Sequence, residues 1–288
     1  MATTLTPALT VTQPRQRIAA QNRRQELFGV FALIVLVFLI LGPISSVFLW
    51  AFAERWRYPS LIPTTWGLSY WEETFNRADI RDALPLSIGL ALTVTALSAL
   101  ICLPAAYAFA RLRFRGRQFL LLSFLATNAF PRFGLYVSIA VVFFRLNLVG
   151  TIPGVILIQL VNTLLLMIWI PTSAFQGVDR ALEEAALDVG ASRWRVFLQI
   201  TLPQVLPSLA AAVLLTLVST FYEAQGALLI GLPNVRTLPI IMYQLINNAV
   251  VVQYGAIVSL VMWLPSLLLL IVAQRFLRGG AISAGFGV

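Results

Sequence analysis

Lysine and histidine are both absent from this 288-residue chain, and cysteine occurs once, as Cys102. With no histidine and a single thiol, neither a disulfide framework nor a Cys/His metal site can be built. Cys102 lies inside an apolar run and reads as a small hydrophobe rather than a reactive thiol. Charge is scarce as well. Only 11% of the residues are charged, against about 25% in an ordinary soluble domain, which argues against a soluble globular protein. All twenty basic residues are arginine, a matter of codon usage rather than mechanism. The net charge of +9 is no nucleic-acid signature, because the arginines fall between hydrophobic runs instead of along one face of a domain. No phosphate-cradling loop of the form glycine, four residues, Gly-Lys-Ser/Thr occurs, so the chain has no nucleotide site of its own. No residue set for covalent or metal catalysis is present either. The expectation is a protein that is not an enzyme, with no resident cofactor and no metal.

What is abundant is apolar sequence: 59% of the residues, with a mean hydropathy of +0.88. The first long run, Leu27 to Phe52, has 26 residues. As a helix at ~1.5 Å per residue it reaches roughly 39 Å, enough to cross a bilayer with tilt. It is too long for a signal-peptide core, and no small-residue cleavage site follows it. Five further spans are expected near Leu84–Ala110, Gln118–Phe144, Ile152–Phe175, Leu206–Gly226 and Val251–Phe276. The third is interrupted by Asn128, Pro131 and Arg132. The runs are continuously apolar rather than alternating, which excludes a β-barrel. The fold class is therefore an all-α membrane protein with six transmembrane helices. Its expected parts are a tail over 1–26, a membrane domain over 27–277 and a second tail over 278–288.

Six spans put both termini on one side. The N-terminal tail, the loop Arg111–Arg117, the segment 180–203 and the C-terminal end from Arg275 onward together carry thirteen arginines; the other side carries six. The excess places both termini and segment 180–203 in the cytosol. Trp56, Trp66, Tyr70 and Trp71 between the first two spans suit an interfacial belt on the opposite side.

Segment 180–203 is the polar interruption that organises the rest. It reads as a short helix, a break at Gly190, a second short helix, and Pro203 opening the next span. Gly190 can adopt the dihedrals that end one helix and redirect the chain. Ala185 and Ala186 let the first helix approach a partner closely. Glu184 offers a charge to a basic group or a helix N-terminus. Pro203 suits a helix start, where its missing N–H is not needed.

Glu184-Ala185-Ala186, Gly190, Ile200 and Leu202-Pro203 resemble, at all seven positions and with the expected gaps, the signature of permease subunits of binding-protein-dependent ABC importers. The likeness over the whole chain is to the shorter maltose-type sugar permease, with features also similar to the polyamine and iron branch. The resemblance implies a type I importer permease in a bacterial inner membrane, with those seven residues coupling it to cytosolic ATPases. It implies two ATPase subunits that bind ATP and magnesium, a second and different permease chain, a periplasmic or lipid-anchored solute-binding protein, and surrounding lipid. No nucleic-acid partner is implied.

The solute path is read from polar residues within the spans. Arg132 beside Pro131, with Asn128 and Tyr136, either lines the path or marks a wet boundary, since an intramembrane charge costs at least ~2.5 kcal/mol. Tyr222, Glu223 and Gln225 either contact solute or end a helix at the outer interface. Asn162 hydrogen-bonds solute or joins helices. A sugar or acidic sugar derivative is favoured as cargo. Polyamine, ferric iron or phosphonate in the same machine is the alternative. An ion-coupled secondary transporter is the competing class, disfavoured because Glu223 is the lone intramembrane carboxylate.

Overall fold

The computed structural model describes the backbone of residues 14–57, 59–129, 131–248 and 251–277, and most side chains within them. Residues 1–13, the tail 278–288 and the side chain of Asn128 lie outside the described residues. The chain divides into two units, Met1–Leu49 and Trp50–Val288.

The first unit consists of most of α1, Pro14–Phe52. From Pro14 onward the described part of the segment expected to be a tail is helical.

The second unit opens with a two-stranded ribbon that the all-α expectation lacked: β1 (Ala53–Arg55) against β2 (Thr65–Trp66), antiparallel. α2 (Ser69–Asn76) follows and leads into α3, Ala78–Arg111, of 34 residues. The buried positions of α3 recur at three- and four-residue spacing, as in Leu90, Val94, Ser98, Cys102, Ala106 and Phe109. Its opposite face exposes Leu92, Leu100 and Ile101. A helix with one packed stripe and an equally apolar outer face belongs in lipid, because water would demand polar residues there.

The expected third span is two helices, α4 (Arg117–Ala129) and α5 (Arg132–Arg145). Pro131 stands immediately before α5. It can neither donate to the preceding turn nor fit against it, so the helix breaks there. α6 (Ile152–Gly177) starts at Thr151, whose hydroxyl accepts from the Gly154 amide at 3.1 Å. After the polar segment that begins at residue 180 come α9 (Leu202–Phe221), α10 (Gln225–Gly231), α11 (Leu238–Asn248) and α12 (Val252–Leu277). Among the described residues, five helical stretches are long and apolar enough to cross a membrane. The broken pair α4–α5 occupies the position of the third expected span.

α3 and α6 form the most extensive pairing, and α9 packs on both and on α12. Four apolar clusters run along this bundle. Phe221, Leu238, Ile241, Val258 and Met262 lie toward one end, whereas Ala110, Phe175, Val178, Val205 and Leu209 lie at the other. Within the α3–α6 seam the Ser98 and Thr163 hydroxyls bond each other at 2.6 Å. Such cross-helix bonds satisfy groups that lipid cannot, at an average of about 0.6 kcal/mol each.

Candidate functional site: the coupling segment and the polar path

The segment that follows α6 is built from local hydrogen bonding. The Asp179 carboxylate accepts from the Ala181 amide at 2.9 Å, which caps α7, Arg180–Asp188. At its far end the Gly190 amide donates to Leu187 O (2.9 Å) and the Ala191 amide to Ala186 O (3.0 Å). That nested pair of bonds closes a helix through a left-handed residue, and Gly190 has φ +86°. Space around Gly190 is open, so backbone conformation alone calls for glycine there. Ser192 then caps α8 (Arg193–Val196) by accepting from the Arg195 amide at 3.3 Å.

Here the structure corrects one expectation. Pro203 does not open a separate span. α8 continues through a π-helical turn, Phe197–Thr201, into α9, so Arg193–Phe221 is one uninterrupted rod. Pro203 cannot donate back along an α-helical ladder, and the wider turn just before it absorbs that defect. The Leu202 amide reaches back to Phe197 O across this turn. Whatever moves α8 therefore acts directly on α9.

Two further connections tie the segment to the bundle. Arg111, the last residue of α3, donates from Nη2 to Glu183 Oε1 at 2.8 Å and to Val178 O at 3.3 Å. The same Oε1 accepts from the Thr201 hydroxyl at 2.6 Å. One carboxylate thus joins the end of α3, the middle of α7 and the turn entering α9. The pair is well shielded, with side-chain exposures of 9% for Arg111 and 19% for Glu183. The second connection is aromatic. Trp194 stacks on Phe197, Phe197 meets Tyr107 edge-on at 5.5 Å, and Tyr107 meets Phe175 at 5.2 Å.

The motif residues fall on two faces. Glu184 and Ala185 are exposed, whereas Ala186 and Ile200 are half-buried. Leu202 is half-buried and Pro203 exposed. Exposed with Glu184 are Leu182, Leu187, Val189, Trp194 and Leu198. Large apolar side chains interspersed with charge on an open surface mark an interaction site.

The residues that the sequence reading assigned to a solute path lie elsewhere in the bundle. Tyr136 is buried among Leu90, Val155, Ile158 and Ala227. Arg132 is exposed as the first residue of α5. Glu223 is buried, and its two oxygens accept from the Gly226 amide (2.7 Å) and the Ala227 amide (3.1 Å). Both oxygens are thereby engaged at the start of α10. Tyr222 donates its hydroxyl to Met262 O at 3.0 Å, joining α9 to α12. Asn162 is half-buried on α6, and Gln225 is exposed. Tyr136 and the turn held by Glu223 thus meet at Ala227, while among the described residues Asn162 and Gln225 make no side-chain hydrogen bond with Tyr136 or Glu223.

Residues 98–279 match the family described as binding-protein-dependent transport system inner membrane component. The chain belongs to this family. It is a multi-pass permease of the inner-membrane type. Among curated proteins it is 29% identical over 224 residues to a putative ABC transporter permease protein of Streptomyces antibioticus, spanning 77% of this chain and 98% of that one. It is 27% identical over 271 residues to the maltose/maltodextrin permease MalG of Vibrio vulnificus, spanning 86% and 90%. Among solved structures it resembles a bacterial ABC transporter involved in the import of the acidic polysaccharide alginate. The TM-score is 0.59 at 19% identity, over 92% of this chain and 99% of that one. The MetNI methionine transporter gives a TM-score of 0.58 at 18% identity, over 69% and 94%. At these identities the structural likeness is one of fold.

In this permease the residues that sequence reasoning missed are Glu183, Arg111 and Thr201. Glu183 and Glu184 are adjacent, so their side chains point about 100° apart on a helix and only one can face inward. The inward set follows a three-residue spacing, Glu183 and Ala186. The apolar face of α7 was too weak a signal to choose between the two carboxylates.

Proposed function

We propose that this chain is the membrane-spanning subunit of an ATP-driven importer whose energy comes from ATPase subunits docked on segment 180–203. The observation that carries this is the construction of the segment. It is a capped helix turned at Gly190, exposed on one face and continuous with α9 on the other. Glu184, Ala185, Ala186 and Gly190 form or shape the docking face, and Ile200, Leu202 and Pro203 form the root that carries movement into the membrane. The arginine excess supports a cytosolic position for this segment and for both termini. Two ATPase subunits bearing ATP and magnesium, a second permease chain and an external solute-binding protein complete the machine. Arg132, Tyr136, Asn128 and Asn162 are the residues proposed to border the solute path. Tyr222, Glu223 and Gln225 border its outer end, where Tyr222 and Glu223 also hold the turn.

The solute proposed is a sugar or an acidic sugar derivative. Support comes from relatives named for maltose, maltodextrin and trehalose transport and from the alginate importer of the same fold. The deciding experiment is co-purification followed by uptake in vesicles. ATPase subunits should accompany the chain, and sugar uptake should require ATP. Isolation without any ATPase, or uptake that persists without ATP, overturns the reading. Orientation is checked by a cysteine introduced at position 188 in a Cys102→Ser background. It should resist an impermeant thiol reagent in intact cells and react once the cells are opened.

A further inference from the structure

The loop after α3 holds a cavity that the importer reading leaves unused. It is open to the surface, has a volume of about 700 Å³ and is lined by Arg113, Phe114, Gly116, Arg117, Gln118, Phe119, Leu121, Leu122 and Trp169. Its chemistry is divided. Arg113 and Arg117 supply two positive charges, and no acidic residue lies in the lining. Among the described residues neither arginine forms an ion pair; the salt bridges there are Arg77–Asp79 and Arg111–Glu183. Gly116, with φ +84°, turns the chain into α4. The Arg117 amide bonds Phe114 O at 3.4 Å and the Leu120 amide bonds Gly116 O at 2.9 Å; Gln118 and Phe119, between them in the first turn, line the cavity. The remaining wall is apolar: Phe114, Phe119, Leu121, Leu122 and Trp169. The Trp169 indole N–H is buried there without an acceptor.

We propose that this cavity binds the headgroup and upper acyl chain of an anionic phospholipid. Positive charge with no counter-ion calls for an anion. The apolar wall calls for a ligand whose anionic part is joined to hydrocarbon, which a free phosphate ion lacks. The position fits, because Arg111 ends a membrane-spanning helix immediately before the loop. Basic pockets between membrane helices at the water boundary recognise lipid phosphates, and tryptophan is enriched at that depth. The site requires only that the chain spans a membrane. It does not depend on the solute or on ATPase docking.

The test is native mass spectrometry of the full-length chain released from detergent containing phosphatidylglycerol or phosphatidylcholine. One phosphatidylglycerol should be retained per chain, in clear preference to phosphatidylcholine. Arg113→Gln and Arg117→Gln should each weaken retention about fivefold, and the double variant should weaken it further. Arg113→Lys/Arg117→Lys keeps the charge and should keep the lipid, and Arg236→Gln, remote in sequence, should behave as the parent. Equal retention of both lipids overturns the proposal. So does wild-type retention by the double glutamine variant. Displacement of phosphatidylglycerol by millimolar inorganic phosphate also overturns it, since the site would then be one for a free anion.

Discussion

Replacing Glu183 by alanine removes two hydrogen bonds at once, from Arg111 Nη2 at 2.8 Å and from the Thr201 hydroxyl at 2.6 Å. The Arg111 side chain is only 9% exposed, so its charge stays in a shielded place without a counter-ion. Breaking a fully buried pair from one side costs about 3–5 kcal/mol. The figure here is reduced, because Arg111 keeps Val178 O at 3.3 Å and water reaches the partly exposed Glu183 site. About 2–3 kcal/mol is expected for Glu183→Ala. Glu183→Gln keeps an acceptor but not the charge, and charge-assisted bonds are roughly twice as strong as neutral ones, so about 1–1.5 kcal/mol is expected. At 2–4 °C per kcal/mol for a chain somewhat smaller than this one, the alanine variant should melt roughly 4–12 °C lower.

A double-mutant cycle separates this pair from general loosening. Arg111→Ala alone leaves Glu183 with Thr201 as its partner. Removing both residues leaves no buried charge, so the double variant should lose about 1.5–2 kcal/mol less than the sum of the singles. Thermal melts of the four proteins in one detergent measure that coupling. Losses that add to within about 0.5 kcal/mol would refute the ion-pair account, because independent sites behave that way. A functional readout accompanies it. Glu183→Ala should insert in the membrane and retain ATPase subunits, yet transport poorly per ATP hydrolysed, because α7 is no longer held to α3 and α9. Unchanged uptake per ATP would show that the tether is structural only.

The remaining predictions rest on separate features. A side chain at Gly190 must adopt a left-handed conformation at a cost of about 1–2 kcal/mol; Gly190→Val should remain in the membrane but lose solute-stimulated ATP hydrolysis, Gly190→Asn should be milder, and normal uptake by the valine variant would sink the hinge. Glu223→Ala deprives two buried amides of their acceptor and should lower stability by about 1–3 kcal/mol with little change in the KM for uptake; a tenfold KM change with an unaltered melt would instead make Glu223 a solute contact. Ser98→Ala should cost about 0.6 kcal/mol, because the Thr163 hydroxyl still donates to Leu160 O at 2.7 Å; a loss above about 2 kcal/mol would mean that the α3–α6 seam depends on this bond.

The spans were legible because lipid imposes one rule along a whole helix. Every side chain facing hydrocarbon must be apolar, and the run lengths of Ala78–Arg111 and Ile152–Gly177 are long enough to carry that signal. The break at Pro131 was legible for a local reason, the missing amide. The boundary at Pro203 was misread for the same reason: a proline predicts a defect but not its repair. A π turn and a helix break answer the same missing donor, and only the neighbouring packing selects between them. The ribbon Ala53–Arg55 with Thr65–Trp66 was illegible because strands this short carry no alternation.

The coupling segment and the solute path differ in legibility because their polar groups do different work. In segment 180–203 capping is local. Asp179, Ser192 and Gly190 act within five residues of themselves, so spacing along the chain reports geometry. In the bundle the polar groups act across long separations, as Ser87 does when it accepts from the Leu238 amide at 2.7 Å, 151 residues away. Glu223 shows the consequence. The sequence left it as either a solute contact or a helix end, and both of its oxygens are engaged by the turn that follows it. A buried carboxylate in a membrane helix must be satisfied by something. Sequence alone cannot distinguish a backbone that is always present from a solute that comes and goes. Arg111 and Glu183 make the same point at the membrane boundary, where residues 72 apart in the chain set the position of a helix that local signals describe but cannot anchor.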